Sequence, residues 1–403
     1  MSEDRLMSAS HTPIDAEAFG VSLIRGDLAY CLQRRCGLIP ENGLGILRRA
    51  LFWSLLAWLP IVVWAWLSDR ALHSETGEPL LAHFGIHARF LLAVPLFIFA
   101  ELPAHALGKR LLPYFVRTGI VPRAEWGRLR DLVAGMVKMR DASLPWIAIF
   151  AIALAVATVS GMSEHLHEVD WAQEAGVAAN HPGFGGNWFL YVGRPIFLVL
   201  LLGWLWRAVL LLILFWRVAK LDLVIVPTHP DRCGGLGFLA PIPAMFAPVV
   251  FAIASVVAAG WGHDVIYHEL AVETLRPQMI ALLVVMLAIF LSPLLVFHGT
   301  LRRVKKQALL DYGVLVGRHG QLVHERWIEG RTVSDDAVLA APELGPVADT
   351  ATLYELVGKM RSFPVSSKSV MPIVIAAVIP MIVVLAVQVP LPGILKMLMK
   401  VLL

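Results

Sequence analysis

Charge is scarce in this 403-residue chain: Asp, Glu, Lys and Arg together make up 16% of it, against roughly 25% in a soluble domain. So few solvated side chains exclude an ordinary water-soluble protein. Cysteine is scarcer, with only Cys31, Cys36 and Cys233. All three fall on the side assigned below to the cytoplasm, where thiols stay reduced, so no disulfide is expected. The Cys31 and Cys36 pair also lacks the further cysteines or histidines of a zinc site. No apolar core precedes residue 50, and Glu3 and Asp4 stand among the first residues. A cleavable signal peptide is therefore not expected, and the first span acts as its own targeting signal. The chain has no Gly-x-Ser-x-Gly elbow, no His-Glu-x-x-His helix and no ATP-binding loop, which argues against primary active transport by this chain alone. No internal repeat is legible, so nothing supports an inverted-repeat transporter.

What the chain does have is apolar length. It is 58% hydrophobic, and its mean hydropathy is +0.71. A bilayer core of about 30 Å takes roughly 20 apolar residues in a helix. Stretches of that kind lie near 50–67, 88–108, 144–162, 188–210, 243–261, 278–298 and 370–389. The fold class is accordingly all-α, a polytopic membrane protein of about seven transmembrane helices. The net charge of +4 and the pI near 9.0 come from base beside the spans, so the partner is the lipid bilayer and not nucleic acid.

Lys and Arg alternate between connections. They crowd before the first span (Arg34, Arg35, Arg48, Arg49) and into the second, fourth and sixth connections, whereas the third has none and the fifth has only Arg276. The positive-inside rule then places the N-terminus in the cytoplasm of a cell with this inner membrane, and seven spans leave the C-terminus outside. Lys396 and Lys400 oppose that placement.

The organisation expected is a cytoplasmic N-terminal segment at 1–47, a six-span bundle at 48–298, a cytoplasmic helical extension and linker at 299–369, and a seventh span with an interfacial tail at 370–403. Amphipathic helices are expected at 16–36, with Val21, Ile24, Leu28, Cys31 and Leu32 on one face, and at 122–140, with Trp126, Leu129, Val133 and Met136. Each either lies on an anionic leaflet or packs on span ends. The fourth span is expected to run on as helix from Trp188 to Val226, and the sixth from Leu301 to Ile328. The two extensions form a subunit contact or an intramolecular hairpin. A loop is expected at 329–351, then a short helix capped by Thr352 and ending at Met360. Small residues four apart (Ala153, Ala157, Gly161; Ala254, Ala258) predict that the third and fifth spans lie at the centre of the bundle or of an oligomer.

Ionisable groups within spans are costly and so are candidate functional groups. Glu101, His105, Arg207 and His298 form one such set, with a Glu101–Arg207 pair as its core. A second candidate is the turn from Pro227 to Phe238, where His229, Asp231 and Arg232 precede Gly234, Gly235 and Gly237. Glycine amides there could hold a phosphate or a lipid headgroup. A third lies on the outer face, where Glu164, His165, His167 and Glu168 are candidate ligands for zinc or another divalent ion, and Asp264 and His268 share a helical face one turn apart. The residues name no cofactor. The leading reading is passive or gradient-driven movement of a small ion, cations favoured, by a homo-oligomer. A scaffold or accessory subunit and a membrane enzyme are the alternatives.

Overall fold

The computed structural model describes residues 19–41, 43–72, 78–162, 171–172, 183–332 and 345–388. It is all-helical, with no strand among the described residues. Seven helices are long and apolar enough to cross a membrane, and the chain is a polytopic helical membrane protein. In order, the elements are α1 (Leu28–Arg35), α2 (Ile46–Leu67), α3 (Phe84–Arg117), α4 (Trp126–Asp141), α5 (Ser143–Met162), α6 (Phe184–Val218), α7 (Ala247–Tyr267), α8 (Val272–Leu295), α9 (His298–Val323), α10 (Gly345–Gly358) and α11 (Ser367–Gln388). The spans are α2, α3, α5, α6, α7, α8 and α11. The described parts of the connections before α2 and between α3 and α5, α6 and α7, and α8 and α11 lie at one end of the spans, called here the basic end; the described parts of the others lie at the acidic end.

The centre of the bundle is α7. Within its apolar window 56% of residues are buried, the highest share among the spans, whereas α5 has the lowest at 22%. The fifth span is thus central to the bundle as expected, while the third is peripheral within the chain. Ala254, Ala258 and Gly262 are buried along one stripe of α7, and α11 makes its largest contact there. Small side chains on the α7 side let the two helices approach closely, and Gly262 meets Val384 of α11. Ala153 and Ala157 of α5 are also buried, but against α6, at the rim of the molecule.

Two spans share a design that the sequence analysis missed. Phe84-Gly85, Pro95 and Phe97 of α3 recur one hundred residues later as Phe184-Gly185, Pro195 and Phe197 of α6. In both, a π-helical turn precedes the proline, at Ala88–Ala93 and Phe189–Gly193. Proline lacks an N–H and crowds the carbonyl one turn back, and a widened turn accommodates both. Phe90 packs on Gly193, and the motif-related rings of Phe97 and Phe197 meet at 5.7 Å.

At the basic end several expectations need correction. The residue 16–36 helix is confined to α1, because Gly26 at φ +110° breaks it. Ile24 is fully buried while Cys31 and Leu32 are exposed, so the anticipated single face does not exist. Residues 19–27 tuck into the bundle, where Arg140 donates to the Ser22 carbonyl. In α4, Leu129, Val133 and Met136 are buried, as their spacing predicts, against α6. Helix α6 stops at Val218, eight residues short of Val226. The following Leu221-Asp222-Leu223-Val224-Ile225-Val226 run ends in three β-branched residues before Pro227, which disfavours helix. It leaves the helix, and Val224 N donates to Ile120 O (2.8 Å). Helix α9 continues to Val323 and a π turn to Ile328. Helix α10 begins at Gly345, inside the expected loop; Pro346 sits in its first turn, where a missing N–H costs nothing. Thr352 is therefore interior and not a cap. Helix α10 folds back on α9, and Lys305 Nζ donates to Gly358 O (2.9 Å) and Met360 O (2.6 Å). These are carbonyls at the helix C-terminus, where a cation is favoured.

Candidate functional site

Four charged side chains meet at the basic end, where α1, α2, α3 and α6 converge. Asp27 is the N-cap of α1: its Oδ1 accepts from Tyr30 N (2.7 Å), which leaves Oδ2 for Arg207 Nη2 (2.9 Å). Glu101 receives Arg49 through both guanidinium nitrogens, Nη1 at 2.5 Å and Nη2 at 3.1 Å. Arg207 Nη2 reaches Glu101 Oε1 at 3.4 Å, joining the two pairs. Arg49 spends its remaining donors on Gln33 Oε1 (2.6 Å) and Leu44 O (3.3 Å), and Trp53 Nε1 donates to the same Gln33 oxygen (3.1 Å). Arg207 also lies 5.0 Å from the Trp204 ring centroid.

All four charged groups are more than nine-tenths buried. Two guanidinium and two carboxylate groups balance, which is what makes the arrangement tolerable. A buried charge without its partner costs several kcal/mol, while a completed pair roughly breaks even against apolar packing. The quartet is accordingly poor as a source of stability and strong as a determinant of which elements sit together.

Above the quartet lies a cavity of about 570 Å³, walled by α2, α5 and α6 and floored by Tyr30, Gln33, Arg49, Glu101 and Arg207. Its walls are apolar, among them Leu56, Val199 and Leu200. Phe150, Leu154 and Tyr191 at its rim are exposed, so it opens on the lipid-facing surface. The size falls in the range of small-molecule sites, roughly 300–1,000 Å³. Two buried donors on residues lining it, Arg207 Nε and Trp146 Nε1, have no acceptor among the described residues.

Of the four residues expected to cluster, Glu101 and Arg207 meet and the others are engaged elsewhere. His105 Nδ1 lies 2.7 Å from Ser22 Oγ, and His298 Nδ1 contacts Ser362 O (3.2 Å) with its ring stacked on Phe363. Sequence reasoning missed Arg49, Asp27 and Gln33. Arg49 passes for one more basic flank of a span. The available signal was Asp27, the sole carboxylate between residues 19 and 40, placed just ahead of a helix start.

In the turn after α6, the amides that a phosphate would use are taken by Asp231. Its Oδ1 accepts from Cys233 N (2.7 Å) and Gly235 N (3.2 Å), and its Oδ2 from Gly237 N (2.7 Å). Partial burial opposes ionisation of this carboxyl. The three amides and His229, at 2.9 Å, outweigh it and hold Asp231 below the usual carboxylate range. Burial, aided by the Asp231 charge, pushes the neighbouring Cys233 thiol up to about 11. Arg232, Gly234 and Gly235 all take positive φ, and Arg361 N donates to Arg232 O (2.7 Å). The turn thereby clamps the connection after α6 to the segment between α10 and α11.

At the acidic end, Asp264 and His268 line one pocket with His83 and His263. Among the described residues, ligand-bearing atoms of Glu78, His83 and His263 gather within 4.8 Å of one another, the first two from the connection after α2 and the third from the last turns of α7. Glu164, His165, His167 and Glu168 lie outside the described residues. Compared with protein-family models, curated proteins and solved structures, the chain has no match in any of the three.

Proposed function

We propose that this protein binds an amphiphile from the bilayer, one apolar chain lying between α2, α5 and α6 and an uncharged, oxygen-bearing headgroup resting on the ionic floor. The observation that carries this reading is the cavity itself, apolar along its walls, open to lipid, and closed at one end by a charge-balanced quartet. The balance disfavours a second full charge in so dry a place. The spare N–H groups of Arg207 and Trp146 favour an oxygen acceptor such as a carbonyl, hydroxyl or ester. The positive-inside rule supports an inner-membrane location with the basic end, and hence the headgroup, on the cytoplasmic side.

Native mass spectrometry of the detergent-released protein tests this. One amphiphile per chain is expected on the wild type, and Val199→Trp, which fills the cavity from α6, is expected to displace it. A wild-type spectrum free of any bound amphiphile would contradict the reading.

Movement of a small cation through a homo-oligomer is the second reading. It draws support from Glu101 within the spans and from the histidine- and carboxylate-lined pocket at the acidic end. Currents across planar bilayers decide it. No flux under any ion gradient counts against it, and unchanged flux in Glu101→Gln removes that residue from the path.

A further inference from the structure

His263 faces an oxygen acceptor at each of its ring nitrogens. Its Nδ1 lies 3.0 Å from the Ala82 carbonyl oxygen, and its Nε2 lies 2.8 Å from Glu78 Oε2. Both neighbours are acceptors. A neutral imidazole carries one N–H and one lone pair, so it satisfies one acceptor and turns its lone pair on the other. His87 shows the ordinary solution: Trp58 Nε1 donates to its Nδ1 (3.0 Å), and its Nε2 faces the Leu80 carbonyl (3.3 Å), one donor and one acceptor for the two ring nitrogens. At His263 one more hydrogen, or a metal ion, between ring and carboxylate resolves the mismatch.

The surroundings suit a metal. One ligand atom each from Glu78, His83 and His263 lie within 4.8 Å of one another. An ion held at about 2.0–2.2 Å by each would set them roughly 3.3–3.6 Å apart, which requires the 2.8 Å His263–Glu78 contact to open as the ion enters. The rings of His83 and His263 stack at 5.0 Å, and His83 is buried. His268 Nε2 lies 3.8 Å from Glu78 Oε1, close enough to supply a fourth donor. The Ala82 carbonyl is a ready second partner for a metal-bound His263, fixing its proton on Nδ1 and presenting Nε2 as the ligand. A pocket of about 530 Å³ adjoins, lined by Gly85, Gly260, Asp264 and His268.

We propose that Glu78, His83 and His263 bind a divalent transition-metal ion, zinc by preference, at the acidic end of the bundle, with the remaining coordination position taken by His268 or facing the pocket. Two imidazoles with one carboxylate favour zinc over magnesium or calcium, which take oxygen ligands. The ion ties the connection after α2 to the C-terminus of α7, elements that are far apart in sequence. This assignment stands independently of the amphiphile cavity, which lies at the other end of the molecule.

Chelator-stripped full-length protein titrated with Zn²⁺ against a chromogenic chelator tests it. One ion per chain is expected, with Glu78→Gln and His263→Ala each weakening binding by more than the roughly 10- to 100-fold that loss of an outer hydrogen-bond partner costs. No bound metal in the wild type means that a proton alone occupies the His263–Glu78 contact, and the proposal is overturned. Affinity unchanged in Glu78→Gln and His263→Ala overturns it equally. The spectrum of Co²⁺-loaded wild type keeps the test independent of variant folding. Intense visible bands of a four- or five-coordinate nitrogen and oxygen site are expected, and the weak spectrum of the aqueous ion refutes the assignment.

Discussion

At the scale of single residues, the quartet makes a sharp prediction because each member is buried and each has a named partner. Glu101→Gln removes the carboxylate that Arg49 and Arg207 share and is expected to cost about 3–5 kcal/mol, read as a lowered unfolding midpoint in detergent. Replacing the pair together, as Arg49→Met with Glu101→Leu, is expected to cost less than the single change, since no lone charge remains. Asp231 predicts a pH effect. Its folded value is depressed, so its contribution is present above the ordinary carboxylate range and is lost as pH falls through the depressed value. Melting curves of wild type should therefore drop on acidification more steeply than those of Asp231→Asn. Cys233, with its thiol near 11 and its side chain buried, should resist alkylation at neutral pH while the exposed Cys31 and Cys36 react. Equal labelling rates for the three would refute its environment.

At the scale of elements, the joints matter more than the helices. Gly234 takes φ +66°, and a methyl there would run into Ile225, so Gly234→Ala is expected to cost more than about 1 kcal/mol. Lys305→Ala should loosen α10 without disturbing the spans, seen as faster amide exchange confined to residues 350–360. The spans were legible because some 20 apolar residues in a row have no other stable use. Their ends were less so. The stretch before Val226 has neither glycine nor proline to stop a helix, yet its β-branched residues ahead of Pro227 disfavour one. Pro346 acts in the opposite sense, since in a first turn proline is compatible with helix. The likeness of α3 and α6 escaped notice because four identities in a hundred-residue offset carry it, and the common feature is a widened backbone turn, which no side-chain pattern announces.

At the scale of the molecule, topology is the testable statement. Reporter fusions at residues 120 and 330 should fall on one side of the membrane and a fusion at 270 on the other. The candidate site was half legible for a physical reason. Glu101 and Arg207 stand out because they interrupt apolar runs, but Arg49 belongs to a basic flank and Asp27 to a polar segment, so nothing marks them until the fold brings them together. The same holds at the acidic end: Asp264 and His268 are one turn apart in sequence, yet the ligand set that gathers among the described residues takes His263, beside Asp264 in α7, with Glu78 and His83 from the connection after α2.

The ion pair between Asp27 and Arg207 spans 180 residues of chain. Asp27 leaves the ribosome early, and at about 5–20 residues per second its cation follows roughly 10–40 s later. Until then α1 lacks the partner that anchors its capping carboxylate, so it is locked only after three later spans, α2, α3 and α5, have been made. Nascent chains arrested before α6 emerges should leave the segment around Gly26 open to protease, and chains arrested after it should not.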